Sequence, residues 1–503
     1  MRAARFTLDP AFQVGPVRRR TFGSFVEHLG RCVYTGIHDP AHPTADENGF
    51  RGDVIDLTRE LGVSTVRYPG GNFVSGYRWE DGVGPVDERP SRLDLAWHSM
   101  EPNTIGTDEF MTWAAKAGVE PMMAVNLGTR GVEEALDLLE YCNVPAGSAM
   151  AERRRANGAE DPYRVAMWCL GNEMDGPWQI GHKTAAEYGR LAAETARAMR
   201  LMDPNLELVV CGSSSSDMPT FGEWERVVLT ETYEHVDYIS AHAYYWEEEG
   251  DLDSFLASSV DMDGFIEDVV ATADQVRAAG RHSKRINISF DEWNVWYQKR
   301  AESKPPTGDD WPVAPVLLED RYTVADAVVV GSLLISLLRH TDRVHAASIA
   351  QLVNVIAPIM TEPGGRIWKQ TIFHPFAQAA NLAKGSVLRP VIASPTYETA
   401  RFGEVALIDG VATYDDETGE IVVFAVNRSQ TDTLTLEVDV RNGAVEVVEV
   451  TSYAHSDPRW TATADDDSTV RPRPNDTAAV DAGTVSMHLP PVSWNVIRLG
   501  RAG

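Results

Sequence analysis

Cysteine is scarce in this chain: Cys32, Cys142, Cys169 and Cys211 are the only four in 503 residues, and none forms a CxxC pair. So few thiols exclude a disulfide framework. Cys169 and Cys211 lie in apolar runs, where a free thiol behaves as a small hydrophobe. Long apolar runs are missing too, and nothing approaches the roughly 18 residues needed to cross a bilayer. The first 25 residues carry arginines but no apolar core of an export signal, so a cytoplasmic protein is expected. Basic residues are in deficit, 45 against 74 acidic ones, giving a formal charge of −29 and a pI near 4.8. That field repels phosphate backbones and anionic lipid, so neither nucleic acid nor membrane is an expected partner. A neutral substrate is indifferent to it, and solubility is the plainer role of the charge. No strand is followed by the nucleotide fingerprint GxGxxG, and no internal repeat is present.

What is there is ordinary globular composition, 43% hydrophobic and 24% charged, with length for one large domain and a smaller one. Between residues 20 and 385 short apolar runs alternate with amphipathic stretches. The runs are TFGSFVE, STVRYPG, PMMAVNLG, VAMWCLGNE, LELVVCGS, VDYISAHAYY, INISFDEWN and AASIAQLVN. Most are continuously apolar, as strands covered outside by helices and filled inside by side chains must be. Helices are expected over 53–61, 107–117, 184–202, 263–279 and 324–340, with Thr107 and Thr184 as N-caps and Gly280 as a C-cap. Eight such units predict an α/β fold, a (β/α)8 TIM barrel, over an open doubly wound sheet. After Gly385 the helical period stops. Short alternating strands follow, EVALIDGVATYD, EIVVFAVNRS, LTLEVDV, AVEVVEV and VSMHLPPVSWNVIRL, separated by turn clusters. They predict a C-terminal antiparallel β-sandwich. The expected division is a barrel over 18–385 and a sandwich over 386–503, completed by residues 1–17.

Barrel enzymes carry their chemistry at the C-terminal strand ends. Here those ends hold Glu27, Arg67 with Gly70, Gly71 and Asn72, Asn126, Asn172 with Glu173, Ser213, His242 with Tyr244, Asp291 with Glu292, and Gln351. A phosphate-binding barrel would show glycine-rich turns after its last two strands, and a metal barrel would cluster His and Asp. Only His242 stands at a strand end, so no metal is expected. Glycosidic bond cleavage, which needs a proton for the leaving oxygen and a carboxylate facing the anomeric carbon, fits the two glutamates on strands four and seven. Arg67 and Tyr244 are placed to donate to Glu292, keeping it ionised as a nucleophile. Glu173, near Met174 and Trp178, is expected in a drier setting that favours the protonated acid. Asn172 is positioned for a sugar 2-hydroxyl. Each has a blander reading: a capping or salt-bridged glutamate, a packed Tyr244, a satisfied core His242, or Glu27, Asn72 and Gln351 merely serving strand-end backbone. Trp97, Trp178, Trp296 and Trp311 suit stacking on sugar faces, or the core.

The motifs GSFVEHLGRCVYTGI (23–37), RYPGGNF (67–73), NLGTRG (126–131), CLGNEMDGPWQIGHK (169–183), FDEWNVWY (290–297) and LVNVIAPI (352–359) resemble the α-L-arabinofuranosidases of glycoside hydrolase family 51, along essentially the whole chain. The resemblance implies a barrel with a C-terminal sandwich, Glu173 as acid/base and Glu292 as nucleophile. It carries the glycone pocket onto Glu27, Asn72, Asn172, Tyr244 and Gln351. It also implies release of terminal arabinofuranose from arabinoxylan- and arabinan-derived oligosaccharides, no cofactor, and a homo-oligomer, commonly a hexamer. Other readings on the same residues are a different glycosidase, such as an endo-β-glucanase, β-xylosidase or galactofuranosidase, a transglycosylase, and a sugar-binding module without catalysis.

Overall fold

In a computed structural model describing residues 2–300, 304–441, 443, 445–481 and 483–501, the eight apolar runs form one closed barrel. Its strands, in order, are Gly23–Phe25, Thr65–Tyr68, Glu120–Val125, Met167–Leu170, Glu207–Val210, Tyr238–Tyr245, Asn287–Val295 and Val344–Ile349. All neighbours pair in parallel, and the ring closes where Ser348 faces Gly23 and Ile349 faces Ser24. Residues pointing inward, including Met122, Ala124, Met167, Cys169, Val209 and Ala346, fill the interior, so it is a packed core and not a pore. At the N-terminal end, Arg20 donates to Glu120 and to Glu207, both at 2.8 Å or less, and ties strands three and five to the entering chain.

Helix ends depart from expectation in two places. Thr184 does cap the helix Ala185–Met202, and the Glu187 carboxylate accepts from the Thr184 N–H at 3.0 Å in return. Thr107, expected as a cap, is instead the first helical residue, and Gly106 takes the cap position. A Cβ at Gly106 would lie 1.9 Å from the Gly82 carbonyl oxygen, so no side-chain cap fits there. Glu109 makes the reciprocal contact instead, its carboxylate accepting from the Gly106 N–H at 2.8 Å. Gly280 is likewise still helical, in Ser259–Gly280, and Arg281 adopts the left-handed turn beyond it with φ 56°.

Past the barrel the chain builds two sheets. One runs Val391–Ala393, Ala3–Leu8, Leu434–Val440, Thr484–Leu489, Ala479–Asp481, and the other Gln13–Pro16, Ser386–Leu388, Ile408–Tyr414, Ile421–Asn427, Ser493–Arg501, Val445–Tyr453, Arg473–Pro474. Pairing is antiparallel except that Ala3–Leu8 runs parallel to Leu434–Val440. The run VSMHLPPVSWNVIRL, read as one strand, is two strands in different sheets. Pro490 and Pro491 lie between them, and proline has no N–H to offer a ladder. Leu434–Val440 alternates buried and half-buried, whereas Ile421–Asn427 is buried throughout. The difference has a cause: Ile421, Val423 and Ala425 meet the facing sheet at Phe6, Leu436 and Val438, and the other side of that strand meets the helix Val324–Arg339.

Candidate active site

The second barrel strand delivers Arg67 and then turns through Gly70 and Gly71. A Cβ on Gly70, whose φ is +149°, would stand 2.4 Å from Glu27 Cγ, and one on Gly71 would stand 2.9 Å from Glu292 Oε1. Only glycine lets the backbone pass between those two carboxylates. Arg67 is buried. Its Nη1 donates to Glu292 Oε1 at 2.7 Å and its Nη2 to Asn172 Oδ1 at 2.6 Å, while Tyr244 Oη donates to Glu292 Oε2 at 2.7 Å. Glu292 therefore accepts at both oxygens, from the two donors expected for it.

Strand seven carries one extra residue relative to both neighbours. Ser289 and Glu292 face Ser240 and His242 of strand six, and Phe290 and Trp293 face Ala347 and Ile349 of strand eight. Such a bulge re-aims side chains. Here it buries both Asp291 and Glu292 within reach of His242, although adjacent strand residues ordinarily point to opposite faces. His242 Nε2 lies 2.9 Å from Asp291 Oδ1, and Nδ1 lies 2.8 Å from Glu173 Oε1 and 3.6 Å from Glu292 Oε2. Burial works against an imidazolium, but Glu292, Asp291 and Glu173 outweigh it and lift His242 to about 10. Asp291 is held below the usual carboxylate range: burial pushes it up, and Arg67 and His242 pull it further down. Asp291 was placed with Glu292 at its strand end but given no part in the chemistry. Its only sequence signal is its place beside Glu292.

Glu173 follows Gly171 and Asn172 out of strand four, with φ +42°. Glu173 is itself buried, next to the fully buried Met174, but the other member of the expected shield is open. Trp178, expected to shield it, is 51% exposed, and its indole Nε1 donates to Glu173 Oε2 at 2.7 Å. The reason is local: residues 174–183 leave the strand as turns rather than closing over it. Glu27 accepts from the Phe73 N–H at 2.9 Å and Trp97 Nε1 at 3.0 Å on one oxygen, and from Gln351 Nε2 at 3.0 Å on the other. Burial pushes Glu27 up to about 8 against those donors from Phe73 and Trp97.

These groups open onto a cavity of about 500 Å³ lined by Glu27, Asn72, Trp97, Glu173, Trp178, Tyr244, Glu292, Trp296 and Gln351. Gln351 Oε1 has no partner there, which leaves a buried acceptor for a ligand hydroxyl. Asn172, Arg67 and His242 stand behind this lining, with Asn172 Nδ2 at 3.4 Å from Asn72 Oδ1. Trp311 is not brought to the cavity. It stacks on His98, ring centroids 3.7 Å apart. Trp246, Ser214 and Asp217, which the sequence did not single out, are brought there instead.

Among the described residues, Glu173, His242 and Glu292 form one group with ligand-capable atoms within 4.8 Å of one another. Two ligands of a single tetrahedral ion stand roughly 3.3 Å apart. His242 and Glu173 approach to 2.8 Å, which is hydrogen-bond spacing.

Comparison with known proteins agrees with this architecture. Residues 57–264 match the alpha-L-arabinofuranosidase 1 domain, and residues 291–493 the alpha-L-arabinofuranosidase C-terminal domain. The chain is 59% identical, over 99% of its length and 75% of the relative's, to an intracellular exo-alpha-(1→5)-L-arabinofuranosidase of Streptomyces lividans. It is 57% identical, over 99% of its length and 97% of the relative's, to an exo-alpha-(1→6)-L-arabinofuranosidase of Bifidobacterium longum. A solved family 51 alpha-L-arabinofuranosidase from Bifidobacterium longum superposes with a TM-score of 0.95 at 50% identity, covering 99% of both chains. The chain belongs to the α-L-arabinofuranosidases of glycoside hydrolase family 51.

Proposed function

We propose that this exo-acting α-L-arabinofuranosidase hydrolyses its substrates with retention of configuration, Glu292 acting as nucleophile and Glu173 as acid and then base. One observation carries the reading. Carboxylate oxygens of Glu173 and Glu292 lie within 4.8 Å of each other. That is the close pairing of a double displacement (about 5–5.5 Å between carboxyl groups) and too near for a water to attack from the far face, which takes about 6.5–9.5 Å. Arg67 and Tyr244 hold Glu292 aimed and anionic. Its oxygen attacks the anomeric carbon as the glycosidic bond breaks, and Glu173 gives its proton to the departing oxygen. Glu173 then takes a proton from water, whose oxygen displaces Glu292 from the arabinosyl ester. His242 and Trp178 engage one Glu173 oxygen each, so half-exposed Trp178 gives up its bond to Oε2 when the leaving oxygen arrives. Glu27, Asn72, Tyr244 and Gln351 line the cavity and bind the terminal sugar, and Asn172, just behind that lining, reaches its 2-hydroxyl. Nuclear magnetic resonance of the first-formed product should show the α-anomer; the β-anomer would refute the double displacement.

The substrates in this reading are arabinan- and arabinoxylan-derived oligosaccharides met inside the cell. Relatives from Streptomyces lividans and Bacillus subtilis are named intracellular (1→5) enzymes, and one from Bifidobacterium longum is named a (1→6) enzyme. kcat/KM should be higher on short arabino-oligosaccharides than on intact arabinoxylan, and a clear preference for polymer would count against the compartment. A hexameric assembly belongs to the same reading, and a monomer in light scattering would end it.

A further inference from the structure

A second cavity of about 200 Å³ opens beside the first and shares Ser215, Asp217, Tyr244 and Trp246 with it. Glu248 and Asp261 complete its barrel side, and Arg401 enters from the other half of the chain. Arg401 sits at the tip of the hairpin that pairs Thr396–Thr399 with Gly403–Ala406. Tyr397 Oη donates to the Asp253 carbonyl at 3.0 Å, and the Arg401 N–H donates to Ser254 Oγ at 3.2 Å, so the hairpin is tied to the short helix Leu252–Leu256 that follows strand six. The opposite wall is held as well. Trp246 Nε1 and Lys299 Nζ both donate to Glu248, at 2.8 and 2.9 Å, and Tyr245 Oη donates to Asp261 at 3.1 Å. Among the described residues no carboxylate stands within ion-pair distance of the Arg401 guanidinium, which lies 5.1 Å from the Phe402 ring and feels Asp261 and Glu248 only across the cavity.

Position and chemistry together say what enters. Glu27, Asn72 and Gln351 come from strands one, two and eight, while the side cavity lies at the ends of strands five and six, across the ring. Round the closed ring, Glu173 on strand four stands between them on one side and Glu292 on strand seven on the other, and of the two it is the acid, Glu173, that faces the leaving group. A sugar held by the first set sends its leaving group past Glu173 toward the second. Fixed carboxylate acceptors facing an unpaired guanidinium donor match hydroxyl groups, which both donate and accept. Three carboxylates repel an anion.

We propose that this side cavity is a binding site for the leaving portion of a neutral arabino-oligosaccharide, and that Arg401, contributed by the C-terminal half of the chain, sets the preference for longer substrates. This rests on the reading of Glu173 as the acid that faces the leaving group. The test compares full-length wild type with Arg401→Met and Arg401→Lys. The substrates are an aryl α-L-arabinofuranoside, which has no sugar to place there, and (1→5)-linked arabinobiose, arabinotriose and arabinotetraose. In wild type kcat/KM should rise with chain length. Arg401→Met should lose about tenfold on the triose and tetraose, through KM, and stay within about twofold on the aryl substrate. Arg401→Lys should recover part of the loss. An equal loss on every substrate, or none on any, would overturn the site. Failure of wild-type enzyme on the aryl arabinofuranoside would instead strike the functional reading beneath it.

Discussion

Two glutamates separated by less than 5 Å need different partners to do different work, and the structure supplies them residue by residue. Glu292→Ala should lose on the order of 10⁴-fold or more in kcat with every substrate, since covalent catalysis carries much of the barrier reduction. Azide should rescue it as a product of inverted configuration. Glu173→Ala should still release an activated aryl group in a burst, because that group departs without a proton, and azide should then give the retained product. Were azide to give inversion with Glu173→Ala, the two roles would have to be exchanged. His242 makes a second prediction. Its imidazolium is flanked by Asp291 at 2.9 Å and Glu173 at 2.8 Å and is lifted to about 10. A histidine raised on folding contributes stability that is full below its ordinary value, about 6.5, and is lost as pH rises through about 10. His242→Gln should therefore cost about 3–5 kcal/mol at pH 6, where it strands buried carboxylates, and much less above pH 10. Thermal unfolding at both pH values gives the comparison, and a gap of the same size at each would defeat it.

At the scale of elements, the helix Val324–Arg339 joins the two halves of the molecule. Every residue from Val324 to Leu338 is buried, because one side lies against the barrel and the other against the sandwich. Gly331 is where the sandwich comes nearest: a Cβ there would lie 2.4 Å from Trp494 Cε3. The indole cannot retreat freely, since its Nε1 donates to Gln378 at 3.0 Å. Helix propensity alone would reward Gly331→Ala by about 1 kcal/mol. Overpacking costs about 1–3 kcal/mol, so the variant should be less stable. A urea midpoint above that of wild type would show that the interface yields more easily than its geometry implies.

At the scale of the whole molecule, the same helix makes the barrel depend on the sandwich. A chain ending at residue 385 would expose the sandwich-facing side of Val324–Arg339 and part of an otherwise continuous apolar core. We expect that truncation to accumulate as aggregate, scored by soluble yield and gel filtration. A soluble monomer active on an aryl arabinofuranoside would show the barrel to be independent after all. The Arg401 hairpin adds a functional reason for the same dependence, because part of the side cavity comes from beyond the barrel.

How much could be read beforehand follows from how far apart the determining residues are. The eight strands were legible because each is a local apolar run bounded by turn residues, and their parallel order follows from the helices between them. Arg67, Glu173, Tyr244 and Glu292 were legible because strand-end polar residues must converge once the barrel closes. Three features were not. The bulge in strand seven, which turns Asp291 inward with Glu292, shows only when the neighbouring strands fix the register. Trp178 and Trp311 looked alike as loop indoles, yet one bonds Glu173 and the other stacks on His98, a choice made by loop paths through space. Arg401 lies more than a hundred residues from the barrel residues with which it lines the side cavity, on a hairpin with no motif of its own. Local pattern determined the elements and the polar groups at the strand ends, because periodicity and strand-end polarity act within a few residues. Tertiary structure alone decided the register, the burial and the neighbours, because those depend on contacts between segments that the chain does not place side by side.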